Sequence, residues 1–364
     1  MKNKTRQTIL IVSAIVLLAA FVIIVMYFSN SKDNEKTKIG YVMTGSTDEH
    51  GWNGMNYKGI ETVCANLGLE LMVKENVLEG TGKCTEAVSE LAEGGAEMII
   101  LSSFGYPGEV TELIDSYPEI SFYGISSQYY SENMSSYFGR MYQMRYLTGI
   151  IAGMITESDN IGYVAAMAND EVNRGINAFT LGVRRVNPDA IVNVMWTDSW
   201  DDEAKAKSAA NSLIADGADV LAYHQNQPYV VEAADEAGVY SIGYNEAAEG
   251  FSDKYLTAAV WDWEHLYYDI ITEFLQGKAN IHQHHWCGME TGAIALSEFS
   301  PLVTEEIRAE VEKAKAEILA GNDVFSGEIY DNTGTKRCGA DEFISDTSLI
   351  SDFDWYVDGV VICE

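Results

Sequence analysis

The chain has 364 residues, and its 55 Asp and Glu residues outnumber 23 Lys and Arg residues, which gives a formal net charge of -32. This length allows two domains of ordinary size, each with its own hydrophobic core. A strongly negative chain repels nucleic acid phosphates, so we predict no nucleic acid partner. The acidity by itself indicates no more than a soluble, exposed surface.

The N-terminus predicts a membrane segment. Three basic residues precede an almost unbroken apolar run over residues 9–28, which is long enough to span a bilayer. The positive-inside rule makes residues 1–7 a cytoplasmic stub, residues 8–28 a membrane anchor or signal segment, and the remainder outward-facing. Neither a small-residue cleavage site nor a cysteine for lipid attachment follows, which favours an uncleaved anchor. Residues 29–37 are polar and predict a tether. We therefore expect an outward-facing soluble domain at the cell membrane.

Short β-branched runs then alternate with helical patterns, which is typical of a parallel sheet with crossover helices. In the first series, strands are predicted over residues 39–43, 69–74, 98–102, 121–125 and 137–139, and helices over residues 52–67, 81–94 and 109–116.

An apolar helix over residues 146–155 leads into a second series of the same kind. Strands are predicted over residues 161–167, 191–196, 218–224, 240–245 and 255–260, and helices over residues 176–186, 204–217, 230–238, 263–277 and 305–321. The predicted fold class is α/β, with two doubly wound lobes facing one ligand cleft. The first lobe is expected to comprise residues 38–155 plus about 258–280, and the second residues 156–257 plus about 281–364.

A polar loop after the first strand carries Asp48, His50, Trp52 and Asn53. Open α/β sheets bind ligands at the carboxyl ends of their strands, and this set of side chains suits a flat polar heterocycle. The loop has no glycine-rich phosphate motif. A cap and hydrophobic staple for the next helix is the alternative, but a Trp at a helix start is exposed unless something stacks on it.

The segment SSFGY after the third strand places Ser103 and Phe104 at the same edge of the sheet. Turn formation around Gly105 and Pro107 explains this segment equally well.

In the second lobe, Trp200 lies between a strand and a helix, where we expect it to face Trp52 and complete an aromatic sandwich. The acids that follow Trp200 complement the helix dipole, which is their default role. His224, Asn226 and Asn245 follow or end further strands and offer hydrogen-bond donors and acceptors to a heterocycle edge.

The segment HQHHWC contains residue types that bind zinc, namely His282, His284, His285 and Cys287. Nothing nearby supplies convincing further ligands, so we predict a strand edge leading to Trp286 and no metal site. Catalytic serine motifs are absent from the sequence, and acidic pairs such as residues 201 and 202 are adjacent without converging. The sequence therefore predicts a protein that is not an enzyme and needs no cofactor.

Five segments, in this order, resemble the basic membrane protein family of ABC-transporter substrate-binding proteins: GSTDEHGWNGMNYKGIE, YFGRMYQMRYLTGIIAGMIT, VNRGINAFTLGVRRVNPDA, WTDSWDDEAKAKSAANSLIADGADVLAYHQN and GEIYDNTG. The resemblance covers nearly everything from residue 38 onward. It implies a type I periplasmic-binding-protein fold, in which two lobes joined by crossing strands close on a ligand, and ligands that are mainly purine nucleosides and nucleobases.

The resemblance also implies roles for single residues. Trp52 and Trp200 stand where the family has its two stacking aromatics. Asn53 matches the family's Asn, and Asp48 matches an acid of the same loop.

Two positions depart from the family pattern at the ribose end. Asn245 replaces an Asp that usually holds the ribose, and Trp261 replaces a Lys that contacts the sugar in nucleoside binders. Losing both groups argues for a nucleobase, adenine among them. Arg140 is a further candidate ligand contact, although a hinge salt bridge explains it equally well.

Together these features predict the extracellular solute-binding component of an ABC importer. It would capture a purine-type base or nucleoside and pass it to a permease driven by an ATPase. A membrane-anchored sensory receptor for the same ligands is the alternative, and a nucleoside-hydrolysing enzyme is the third possibility.

Overall fold

The computed structural model describes residues 36–49, 51–129, 131–247, 250, 252–277 and 284–363. The predicted stub, membrane segment and nearly all of the tether lie outside these residues. None of the helices within the described ranges combines the length and apolar character that a membrane crossing requires.

Strands and helices alternate along the chain. The strands are β1 (Lys38–Val42), β2 (Glu70–Lys74), β3 (Met98–Leu101), β4 (Ser121–Ile125), β5 (Met134–Gly139), β6 (Asn160–Ala165), β7 (Ile191–Trp196), β8 (Val220–His224), β9 (Tyr240–Asn245), β10 (Tyr255–Trp261), β11 (His284–Cys287), β12 (Ile294–Leu296), β13 (Ile329–Tyr330), β14 (Lys336–Cys338) and β15 (Val360–Ile362). The helices are α1 (Gly51–Leu67), α2 (Lys83–Glu93), α3 (Tyr106–Glu109), α4 (Thr111–Ile114), α5 (Tyr142–Ile155), α6 (Asp170–Val186), α7 (Glu203–Ala215), α8 (Tyr229–Ala237), α9 (Trp263–Leu275), α10 (Glu305–Leu319) and α11 (Asp346–Ser351).

Two large sheets define two lobes. The first lobe contains a six-stranded parallel sheet in the order β11-β5-β4-β3-β1-β2. The second contains a seven-stranded sheet in the order β12-β10-β9-β8-β6-β7-β15, in which β12 alone pairs antiparallel. The central strands are apolar throughout, as in MIIL of β3, because helices cover both faces of each sheet. The predicted α/β fold of two doubly wound lobes is confirmed.

The chain crosses between the lobes three times, and the crossings differ from the expected boundaries. Helix α5 packs on α6 of the second lobe, although residues 38–155 were expected in the first. Strand β10 belongs to the second sheet, whereas α9 after it packs on α1 of the first lobe. Strand β11 then extends the first sheet, although residues from about 281 were expected in the second lobe. Sheet membership depends on which exposed strand edge a segment meets, and the pattern of a single strand does not encode that.

Some predicted elements also have different bounds. The helix predicted over residues 109–116 is two short helices, α3 and α4, because the backbone at Val110 leaves the helical region with φ -113° and ψ 9°. Helix α6 begins six residues earlier than predicted, since Asn169 accepts a hydrogen bond from the Val172 N–H and caps it.

Close packing of α5 on α6 sets the position of the second lobe's helices at the cleft. A Cβ atom added at Gly149 would lie 2.0 Å from the carbonyl oxygen of Phe179, and one at Gly182 would lie 2.0 Å from that of Tyr146. The two helices therefore approach backbone to backbone.

Candidate functional site

A cavity of about 480 Å³ lies between the lobes, within the size range of small-molecule sites. It lies beyond the carboxyl ends of β1, β3, β4, β6, β8 and β9, as expected for doubly wound sheets. The lining residues are Thr44, Trp52, Leu78, Glu79, Thr81, Ser103, Phe104, Ile125, Ser126, Phe138, Asn169, Glu171, Trp200, His224, Asn226 and Tyr244.

Trp52 reaches this cavity from the first turn of α1. Its indole Nε1 donates a hydrogen bond to the carbonyl oxygen of Ser102 at 3.1 Å. Behind it, Trp261 and Trp263 stack with ring centroids 4.6 Å apart, and both meet the Trp52 ring edge to face. Trp261 is only 4% exposed and does not line the cavity. It therefore holds the orientation of Trp52 from behind.

Trp200 reaches the same cavity from the loop between β7 and α7. Its ring meets that of His224 at a centroid distance of 5.8 Å, and the His224 ring also packs on Tyr244 at 4.7 Å. The predicted residues thus line one cavity, namely Trp52, Ser103, Phe104, Trp200, His224 and Asn226. The structure brings together side chains that lie up to 174 positions apart, from Trp52 to Asn226.

His224 is neutral at pH 7. Burial, and secondarily the positive charge of Arg145, lower the pKa of its imidazole to about 4, although Glu171 opposes this shift. The Nε2 atom of His224 lies 3.4 Å from a carboxylate oxygen of Glu171. The pair presents a neutral ring and a carboxylate to the cavity.

Two predicted residues of the first loop do not line the cavity. The hydroxyl of Thr44 donates to Asn53 Oδ1 at 3.0 Å, and Asn53 Nδ2 donates to Glu49 Oε2 at 2.8 Å. Both ends of the Asn53 amide are thus used within the loop, which they brace. Asp48 is exposed, and His50 lies outside the described residues.

Arg140 also lies away from the cavity lining. Its guanidinium makes two parallel hydrogen bonds to the carboxylate of Asp346, with Nη1 2.8 Å from Oδ1, and lies 4.4 Å from the ring centroid of Trp286. Arg140 directly follows β5, where the chain leaves the first lobe. Of the two explanations that the sequence left open, the described contacts match the salt bridge.

Asn245 shapes the site without lining it. It ends β9 with a left-handed backbone (φ 70°) and is 1% exposed. Its Nδ2 donates to the carbonyl oxygens of Gln225 and Asn226 at 3.2 and 3.3 Å. Asn245 therefore anchors the loop that carries Asn226.

Sequence reasoning missed the contribution of the β6–α6 junction, where Asn169 and Glu171 line the cavity. Acids in the first turn of a helix have an ordinary role next to the helix dipole, which hid Glu171. The signal was present, because the junction follows a buried strand as the other ligand loops do.

The histidine segment forms the edge strand β11, as predicted. His284 and His285 lie on this strand beside β5, and His282 lies outside the described residues. Within the part of the chain that the structure describes, no group of three or more His, Cys, Asp or Glu side chains is arranged to hold a metal ion.

Comparison with known proteins identifies relatives over most of the chain. The family of PnrA-like ABC transporter substrate-binding proteins matches residues 36–325. A protein of Haloferax volcanii that is named as an ABC transporter glucose-binding protein is 37% identical over 74% of this chain and 67% of its own length. A purine-binding protein of Brucella abortus is 30% identical over 90% of this chain and 93% of its own length.

Solved structures share the fold. A transcriptional activator of the comK gene from Bacillus halodurans superimposes with a TM-score of 0.69 at 24% identity, covering 78% of this chain and 98% of that one. An ABC transporter solute-binding protein from Aeropyrum pernix superimposes with a TM-score of 0.67 at 18% identity, covering 81% and 93%. The two-lobed fold is therefore shared with these solved structures.

Proposed function

We propose, from the premise that this chain belongs to the family of PnrA-like ABC transporter substrate-binding proteins, that it captures a purine nucleobase. The base would pass to an ABC permease driven by its ATPase, with the soluble domain outward-facing and held by the N-terminal segment. The observation that carries the proposal is that Trp52 and Trp200 line one cavity from opposite lobes. A planar base between two indole rings gains stacking energy on both faces.

The polar lining favours a ligand edge that donates hydrogen bonds. Of the described residues in the lining, two carry a charge, the carboxylates of Glu79 and Glu171. The first already accepts hydrogen bonds from Ser103 and the Gly105 N–H. Glu171 lies 3.4 Å from Nε2 of His224 and keeps acceptor capacity for a ligand N–H. The Asn226 amide reads a neighbouring position, while the neutral His224 ring forms part of the wall. An aminopurine such as adenine presents this type of edge.

A free base fits better than a nucleoside. At the two positions where the family resemblance implies contacts with a sugar, Asn245 binds main-chain carbonyls and Trp261 is buried behind Trp52. Neither side chain lines the cavity, so neither offers a grip for a ribose.

A hexose is the second candidate, because the Haloferax relative is named as a glucose-binding protein. Indole rings also stack on the apolar faces of sugars, and carboxylates accept hydrogen bonds from sugar hydroxyls. Among the described residues no charged donor lines the cavity, and this does not separate the two ligand classes. Binding measurements must include both.

A sensory receptor for the same ligand is the alternative, and it would bind that ligand equally well. Such a receptor needs a signalling protein as its partner, whereas a transport protein needs a permease. If the protein serves transport, deleting the permease would abolish ligand import. If it is a sensory receptor, the cell's response to the ligand would persist after the deletion.

The decisive experiment is mass spectrometry of small molecules released from the purified protein. Isothermal titration calorimetry follows, with adenine, guanine, hypoxanthine, adenosine, inosine and glucose. We expect adenine to bind most tightly and glucose to give no heat. Tight binding of glucose with no purine response would overturn the proposal.

A further inference from the structure

A second, much smaller cavity adjoins the ligand cavity behind Glu171 and His224. Its volume of about 10 Å³, which is the space open to the centre of a water-sized sphere, is about what one water molecule needs. We call it the floor pocket and define it by Arg145, Glu171, Arg174, Gly175 and His224, which line it. Phe138, Glu171 and His224 are shared between its lining and that of the ligand cavity.

Arg145 places a buried guanidinium group at this pocket, and some of its N–H donors have no partner. Its side chain is 1% exposed, and its Nη1 atom donates to the carbonyl oxygen of Tyr223 at 2.7 Å. The guanidinium lies 3.9 Å from the ring centroid of Tyr244. Its Nε and Nη2 atoms are buried and have no hydrogen-bond partner. Burying such donors is costly unless an acceptor meets them.

Two more buried polar atoms without a partner are found beside Gly175. They are Nδ1 of His224 and the hydroxyl of Tyr163. A Cβ atom added at Gly175 would lie 3.4 Å from the first and 3.7 Å from the second. Since Nε2 of His224 faces the Glu171 carboxylate, we assign the imidazole proton to Nε2, which leaves Nδ1 as an acceptor.

Helix packing does not explain the glycine at position 175. On α5 and α6, both fully described, a Cβ at Gly149, Gly153 or Gly182 would approach another backbone oxygen within 2.7 Å. Gly175 would make only ordinary contacts. Because alanine is the better helix former, a glycine here weakens α6 without a packing reason. What it does provide is space between His224 and Tyr163.

We propose that the floor pocket binds one water molecule, which accepts hydrogen bonds from Arg145 and Tyr163 and donates one to Nδ1 of His224. A mixed set of donors and an acceptor suits water, which can accept from Arg145 and Tyr163 and also donate to Nδ1. Arg145 and Arg174 would attract an anion to this pocket, but Glu171 would repel it and it could not donate to the Nδ1 lone pair. The water fixes the imidazole that forms the cavity wall. Arg145, Tyr163 and Gly175 are therefore positioning residues for ligand recognition, and this effect on affinity rests on the proposed function.

The test compares the wild-type protein with Gly175→Ala, whose methyl group fills the pocket without a steric clash. High-resolution crystal structures are expected to show one water within hydrogen-bond distance of Arg145, Tyr163 and His224 in the wild type and none in the variant. With adenine as the probe, calorimetry should show at least a fivefold loss of affinity in Gly175→Ala. Tyr163→Phe, which keeps two of the three partners, should retain the water and lose threefold or less.

An empty pocket in the wild-type structure, or a chloride there identified by anomalous scattering, would overturn the proposal. So would full adenine affinity in Gly175→Ala. The crystallographic comparison needs no ligand, so it decides the water site even if adenine fails to bind. A failure of adenine binding with the water in place would count against the proposed function alone.

Discussion

Trp52 shows how a single side chain becomes a ligand contact in this protein. Its position after β1 was predictable from the sequence, but its orientation depends on residues more than 200 positions away. Trp261 and Trp263 support its ring from behind, and the Ser102 carbonyl holds its indole N–H. The ring is thereby held where it lines the cavity.

Replacing Trp200 with alanine should weaken purine binding by about 5- to 160-fold, because a stacked base is typically worth about 1–3 kcal/mol per aromatic side chain. Trp196→Ala is the matched control, since Trp196 is half-buried in the same lobe and does not line the cavity. Calorimetry with adenine measures both. Equal losses in the two variants would argue that Trp200 acts through stability and not through stacking.

His224 should make stability fall on acidification. Its folded-state pKa of about 4 is depressed below the ordinary value of 6.5, so the unfolded chain takes up a proton first as the pH falls. The stability advantage of the neutral ring is complete above pH 6.5 and is lost progressively down to about pH 4. A shift of this size corresponds to at most roughly 3 kcal/mol.

Chemical denaturation of His224→Gln between pH 7 and pH 4 checks this expectation. The variant should lose less stability over this interval than the wild type. His265→Gln, a change at an exposed histidine of α9, serves as the control. An unchanged pH slope in His224→Gln would contradict the prediction.

At the scale of elements, the ligand residues come from the junctions that follow buried strands. The junction between β6 and α6 combines two tasks in one turn. Asn169 accepts a hydrogen bond from the Val172 N–H at 3.0 Å and also lines the cavity. The cap therefore helps to place Glu171, two residues further on, beside His224.

Asn169→Ala should lower the free energy of unfolding by about 1 kcal/mol, as expected for the loss of a helix cap, and should also weaken adenine binding severalfold. Thr304→Ala removes a comparable cap from α10, outside the cavity lining. It should cost similar stability and leave affinity unchanged. Denaturant titration and calorimetry measure the two effects. A loss of affinity in Thr304→Ala would show that stability alone governs binding.

At the scale of the whole molecule, the lobes meet across the mouth of the cavity. The N–H of Gly51, at the start of α1, donates to Glu246 of the second lobe at 3.2 Å. Gly51 has φ 67°, and a Cβ there would lie only 2.1 Å from the carbonyl oxygen of Asn226. Glycine is required at this position for two reasons, the left-handed backbone and the close approach of the other lobe.

Gly51→Ala should therefore prevent the lobes from meeting and reduce adenine affinity at least tenfold. Gly68→Ala is the matched control, because Gly68 has nearly the same backbone conformation (φ 70°) with nothing within 4 Å of the added Cβ. Small-angle scattering with saturating adenine should give a larger radius of gyration for Gly51→Ala than for Gly68→Ala. Identical radii and affinities would mean that this contact does not limit closure.

The sequence by itself determined the alternation of strands and helices, the two-lobed α/β class, and the loops that carry Trp52, Phe104, Trp200 and His224. It could do so because burial imposes local periods on the chain, and because parallel sheets collect ligand loops at one edge.

Only the tertiary structure decided what depends on contacts between distant segments. It assigned β10 and β11 to their sheets, paired Arg140 with Asp346 across 206 positions, and turned Asn53 and Asn245 into braces. It also brought Glu171 to the cavity. Hydrogen bonds and salt bridges of this kind leave no periodic signal, since each partner is chosen by where the topology places the other.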